Sequence, residues 1–292
     1  MGVRLHKVVQ GLLAATFFQS ALIGCSPKVC KPRTPSVNIN WSENVRVMAS
    51  CGQDFQGFIN ESKKGEEYIP TLVRKINDPE IAGFEEAHEA IESSGYFISN
   101  KKNGSFIMYP TSSFRKLNCW RKVDREKKRF VLLLGQISGN YYDPSSSYFS
   151  LNRRVKSGLN DMENILKDPK LYNVPPENIH RYNSTTQEIF REEIEWLGKM
   201  LSANPGSEGM ILYMGHGDIL SRGSSGEGSA VGLLGDPYDE RITVTEDRLK
   251  EMVNSQIGSI ASSPVLIIID ACYSGAFVAF KPENSLIYNH NS

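Results

Sequence analysis

The sequence predicts an α/β fold: an open, mostly parallel sheet with helices on both faces. Three observations predict it. Phe130–Leu134, Gly209–Met214 and Pro264–Ile269 are continuous apolar runs, as expected of strands buried on both faces. The segments between them carry apolar residues at helical spacing. Strand and helix therefore alternate, which is the pattern of a parallel sheet joined by crossover helices.

The elements follow in order. Residues 1–25 read as a signal segment. Arg4 and Lys7 are its positive end, and Val8–Ile23 is mostly apolar but short for a membrane span. Leu22-Ile23-Gly24-Cys25 closes it. This ending resembles a bacterial lipoprotein signal, which implies lipidation at Cys25 and anchoring in the cell envelope. Residues 26–40, with Pro27, Pro32 and Pro35, read as a tether. Residues 41–128 are weakly patterned and are expected to form an N-terminal accessory or pro-region. Within them Ile69–Ile76 and Glu85–Ile91 suit short helices. Tyr96–Ile98 and Ser105–Tyr109 suit a hairpin about Asn103-Gly104. Arg121–Arg129 is rich in basic residues and reads as a solvated linker face or an exposed cleavage site.

The catalytic part is expected at 129–292. After the Phe130–Leu134 strand, Leu159, Met162, Ile165 and Leu166 mark a helix. Ile179–Tyr182 is a short strand, and Ile189, Ile194, Leu197 and Leu201 line a second helix. Gly209–Met214 stops at Gly215-His216-Gly217-Asp218. Val231–Leu234 follows a Gly/Ser-rich loop, and a helix opens at Thr245 or Glu246. The last apolar strand stops at Asp270, two residues before Cys272.

Chemistry collects where parallel strands end. Both His216 and Cys272 follow such ends, so both open onto one sheet edge. A thiol attacking a carbonyl needs an imidazole neighbour and backbone N–H groups for the oxyanion. Cys272 supplies the nucleophile, His216 the acid/base, and the N–H groups of Gly217 and Cys272 the oxyanion donors. Neither residue has a second ligand at metal spacing, so no metal is expected. The balance of 33 Lys and Arg against 33 Asp and Glu gives no bulk charge for nucleic acid. Cys30, Cys51 and Cys119 lie in the N-terminal part, which leaves Cys272 as a separate thiol.

"YMGHGD" followed by "IIIDACYSG" resembles the catalytic pair of caspase-like cysteine peptidases, above all metacaspases and bacterial caspase homologues. "VKSGLNDMENIL", "NVPPENIHRYNSTTQEIFREEIEWL" and "ITVTEDRLKEMV" are similar to other segments of that family, in the same order. Tyr273 stands where the family more often has histidine, and Met214 where it has serine.

The resemblance implies a cysteine endopeptidase with Cys272 as nucleophile and His216 as general acid/base. It implies Asp161 and Asp270 as carboxylates binding a P1 Arg or Lys. Legumain-like peptidases, which prefer asparagine at P1, share the His/Cys order. A second class is a catalytically inactive caspase-fold lipoprotein that binds other envelope components. No cofactor is required. Calcium enters only through the resemblance, with Asp236, Asp239 and Glu240 as carboxylates that lack calcium-loop spacing. The substrates implied are proteins or peptides.

Caspase-like folds normally add two strands after the cysteine. Lys281–Ser292 is polar and contains Pro282, so none is expected here. The edge beside the cysteine strand is expected to be covered by a partner or by the N-terminal part.

Overall fold

The computed structural model describes residues 41–50, 67–100, 104–108, 110–113, 116–136, 147–221, 229–234, 244–272 and 274–278. Cys25, the 26–40 tether, Cys30, Cys51, Asp236, Asp239 and Glu240 lie outside them. Among the described residues no helix is long and apolar enough to cross a membrane.

In chain order the elements are β1 (Val45–Ala49), α1 (Tyr68–Ile76), α2 (Phe84–Ser94), β2 (Tyr96–Asn100), β3 (Gly104–Met108), β4 (Thr111–Ser112) and β5 (Arg129–Gly135). There follow α3 (Ser147–Lys167), β6 (Ile179–Tyr182), α4 (Gln187–Ala203), β7 (Glu208–Met214), β8 (His216–Ser221), β9 (Ser229–Leu234), β10 (Val244–Thr245), α5 (Glu246–Ile257) and β11 (Val265–Asp270).

Six of these strands form one sheet in the order β4–β1–β11–β7–β5–β6. The pairs β1/β11, β11/β7, β7/β5 and β5/β6 are parallel, and β4 is antiparallel to β1. This is the mostly parallel α/β sheet that the apolar runs predict. β5, β7 and β11 are buried along their whole length.

Register sorts the side chains into two faces, because alternate residues of a strand point opposite ways. Val131, Met210 and Leu266 form one row across the sheet, and Leu133, Leu212, Ile268 and Met48 form the next. These residues join Ile69, Leu72, Phe84, Leu159 and Met162 in a single core, so this face is covered by α1, α2 and α3. Gly209 belongs to the opposite face, where a Cβ would meet Leu197 and Leu201 of α4. Each fully buried aliphatic side chain contributes about 1.5–3 kcal/mol relative to exposure, so the rows dominate the stability of the sheet.

Both layers use N-terminal residues. The boundary expected at residue 128 falls inside one sheet and one core: β1 precedes it and β5 follows it. Met48, Tyr68, Phe84 and Trp120 are fully buried in that core. β11 is therefore an interior strand, with β7 on one side and β1 on the other. Of the coverings expected for that edge, the N-terminal part is the one observed.

β1 was hidden in the sequence by Arg46. A cation in the middle of a five-residue apolar stretch breaks the pattern, yet Arg46 is only 3% exposed. Its guanidinium pairs with Glu85 at 2.7 Å and Glu89 at 3.3 Å, both on α2. The charge is buried because Glu85 is buried with it and Glu89 pairs with it from the rim.

The amino end of the sheet closes on a second ion pair. Arg129 Nε donates to Glu208 at 2.9 Å, its other nitrogens donate to the carbonyls of Tyr172 and Arg121, and its plane lies near the Trp120 and Tyr172 rings. Lys127 approaches the other Glu208 oxygen at 3.1 Å. The basic run is largely the solvated face expected of it, except at its last residue. Arg129 is core, while Arg121, Arg125, Lys127 and Lys128 are exposed.

Two further elements differ from expectation. α3 begins at Ser147, well before Leu159. Its early turns are rich in Arg, Lys and Ser, but Leu151, Val155 and Leu159 at four-residue spacing continue the buried stripe. His216 opens a strand, β8, rather than a loop. β8 pairs with β9, and β9 with β10, in a separate three-stranded sheet. The hairpin β2–β3 forms as its Asn-Gly turn predicts.

Candidate active site

The candidate residues sit where β7 and β11 end together. Met214 pairs with Asp270, so His216 and Cys272 each stand two residues beyond the same paired position. The Gly215 N–H donates to the Asp270 carbonyl at 3.2 Å, carrying the pairing past the end of β7. A Cβ on Gly215 would lie 2.7 Å from the Tyr213 hydroxyl and 2.8 Å from Gln136. Glycine is needed there because the chain turns against its neighbours. The Tyr213 hydroxyl donates to the His216 carbonyl at 2.9 Å, which fixes the backbone that carries the imidazole.

Gly217 makes the closest approach to the cysteine. A Cβ at this position would come within 2.1 Å of the Cys272 carbonyl oxygen. Any other residue would push β8 away from the nucleophile turn. The two glycines flanking His216 therefore let the histidine strand pack directly on the cysteine backbone.

Cys272 is 8% exposed. Among the described residues Cys119 and Cys272 are not joined in disulfides. Burial, with nearby Glu85 and Glu208, pushes the Cys119 thiol well above the ordinary range, so it is an inert core thiol. After Cys272 the chain enters a short 3-10 turn at Ser274–Phe277, where Ser274 N–H donates to the Ala271 carbonyl at 3.3 Å.

Asp270 is the next polar member of the apolar rows. It follows Leu266 and Ile268 on the face covered by α1 and α3, and it is 5% exposed. Burial raises its carboxyl to about 7, against the pull of a hydrogen bond from the Ser50 hydroxyl; the Glu67 charge raises it further. Asp270 in turn helps burial to push the Tyr68 hydroxyl upward. That hydroxyl lies 2.6 Å from His88 Nδ1. Burial, and then the Arg46 charge, brings His88 down to about 3, so it is neutral at physiological pH. The Glu67 carboxylate pairs with Arg154 of α3 at 3.0 Å.

Asp161 lies inside α3 and is half-buried. Gly158, one turn earlier, packs on the Met214 side chain. The described contacts therefore put the Asp161 turn of α3 near the end of β7, without placing Asp161 and Asp270 against each other. Among the described residues no group of three His, Cys, Asp or Glu side chains is placed to hold a metal ion.

Residues 141–288 match the caspase domain family, peptidase family C14, over just over half of the chain. The match contains both His216 and Cys272. The chain belongs to the caspase family. A search of curated proteins found no match. The matched segment starts after β5 and so leaves out β1, β4 and β5, which belong to the sheet that leads to Cys272, and α1 and α2, which cover it.

Sequence reasoning missed Ser50, Tyr68 and Glu67, which surround Asp270. No local signal marks them. Ser50 is identified by its N–H donating to the Ile269 carbonyl of β11, and Tyr68 and Glu67 by their electrostatic coupling to Asp270.

Proposed function

We propose that this caspase-family chain is a cysteine-type endopeptidase working through Cys272 and His216. The observation that carries the reading is the shared register of β7 and β11, with Gly217 packed on the Cys272 carbonyl. The Cys272 thiolate attacks the scissile carbonyl carbon. The resulting oxyanion is held by the N–H groups of Gly217 and Cys272. The C–N bond breaks as the His216 imidazolium gives its proton to the leaving amine, and a thioester remains. Water then attacks the thioester while His216 takes its proton. The acid product leaves and the thiolate is restored.

A P1 Arg or Lys rests on the motif positions of Asp161 and Asp270. The burial of Asp270 favours a role inside the fold. Asp161, half-buried on α3, is the carboxylate with surface to offer a substrate. The low exposure of Cys272 favours a second reading, an inactive caspase-fold binding module.

Electrophilic peptide probes with Arg, Lys or Asn at P1 separate these readings. Covalent labelling at Cys272, lost in Cys272→Ala and strongly slowed in His216→Ala, is the expected result. Preference for the Asn probe would move the chain to legumain-like specificity. No labelling by any probe would leave the binding module.

A further inference from the structure

The segment before residue 51 lies outside the caspase match, yet it touches both flanks of the nucleophile. At one end Ser50 continues β1 by one residue, its N–H donating to the Ile269 carbonyl at 3.0 Å. Its hydroxyl donates to the Asp270 carboxylate and lies 3.4 Å from the Ser274 hydroxyl. Either hydroxyl can be the donor in the Ser50–Ser274 pair. The order Ser274, Ser50, Asp270 thus spans Cys272, from two residues after it to two residues before it.

At the other end of the segment the Trp41 indole N–H donates to the Phe277 carbonyl at 2.8 Å. Trp41 is itself held by the Lys250 ammonium, 5.8 Å from its ring centroid on α5. Between Trp41 and Ser50 the segment is stitched down along its length. Ser42 binds the Asn254 side chain through both its N–H and its hydroxyl. The Asn44 amide reaches the carbonyls of Ile257, Ile260 and Ser263. The segment is therefore a rigid rail, and the 270–277 stretch is fastened to it at three points.

We propose that Ser50 and Trp41 are positioning residues for Cys272, so that the N-terminal segment is a working part of the nucleophile's setting rather than an appendage. This rests on the reading of Cys272 as the reactive thiol. Ser50 ties the two flanks of the cysteine to each other and to β1. Trp41 fixes the far end of the 3-10 turn. Loosening either tie lets the thiol shift relative to His216, whose backbone is also held from β7 by the Tyr213 hydroxyl.

The test is the pH profile of Cys272 alkylation by iodoacetamide in the full chain, read by peptide mass spectrometry so that each cysteine is scored separately. Thermal unfolding is measured beside it. Ser50→Ala is expected to change the Cys272 rate at pH 7 by about fivefold, the scale of one lost hydrogen bond, and to shift the profile. Ser50→Thr, which keeps the hydroxyl, is expected to restore both. Trp41→Phe keeps a ring and removes only the N–H, and is expected to change the rate in the same direction by a smaller factor. Should Ser50→Ala fail to fold, Trp41→Phe decides by the same criterion. A lower melting temperature with an unchanged Cys272 profile would overturn the proposal. His216→Ala separates the two readings: if it leaves the Cys272 profile unmoved the dyad falls, while the Ser50 comparison still decides the positioning role.

Discussion

The two ends of the central sheet bury charge in opposite ways. At the amino end Glu208 is enclosed with Arg129, whose guanidinium is further satisfied by two carbonyls and two aromatic faces. At the carboxyl end Asp270 is enclosed with a hydroxyl, and the like charge of Glu67 acts on it. Among the described residues no cation pairs with Asp270. The first end is complete and holds the fold together. The second keeps a carboxylate under electrostatic stress two residues from the candidate nucleophile. Strongly perturbed carboxyls of this kind cluster at functional sites, though structural networks produce them too.

The largest expected effect breaks the complete end. Glu208→Ala strands a guanidinium that is 1% exposed, and should destabilise the protein by about 3–5 kcal/mol. Urea unfolding measures this directly; a loss under about 1 kcal/mol would mean that the pair contributes little.

The stressed end predicts the opposite sign. A carboxyl whose folded value lies above its unfolded one holds its proton more tightly in the fold. Its favourable contribution is present below about pH 4 and is lost as pH rises through about 7. Asp270→Asn removes that dependence. It should stabilise the protein at pH 8 by roughly 2–4 kcal/mol, since each tenfold change in proton affinity is about 1.4 kcal/mol, and the difference should vanish near pH 4. Unfolding curves of the two proteins across this range check it, and a constant difference at every pH refutes it.

The smallest effect concerns packing at the stressed end. Gly217→Ala places a methyl against the Cys272 carbonyl, and should cost about 1–3 kcal/mol as β8 shifts. Probe labelling of Cys272 should fall more sharply than stability does. Equal labelling in variant and parent would show that the close approach has no bearing on the thiol.

What was legible in the sequence follows the same division. β5, β7 and β11 read plainly, because a strand buried on both faces is a continuous apolar run. α4 and α5 read from their apolar spacing; Thr186 and Thr245 cap them by accepting from the N–H groups of Ile189 and Arg248. The placement of His216 and Cys272 at one sheet edge read because both follow the ends of apolar parallel strands. β1 did not read, since the burial of Arg46 depends on two glutamates of α2. β8 did not read, since its pairing with β9 crosses a Gly/Ser-rich stretch. Ser50 carries no pattern at all: its significance comes from which strand lies beside it.

The placement of β1 has a consequence in time. Chains emerge from the ribosome amino end first, and β1 is among the first strands made, while its partner β11 is the last of the described strands. The contact of Ser50 with Ser274 joins positions 224 residues apart. Such distant pairings are costly to close and form late in folding. Every other strand can be in place before β11 slots between β1 and β7. The candidate nucleophile is thus brought into its setting by the closing step of assembly, and a half-made chain carries the histidine without a formed site.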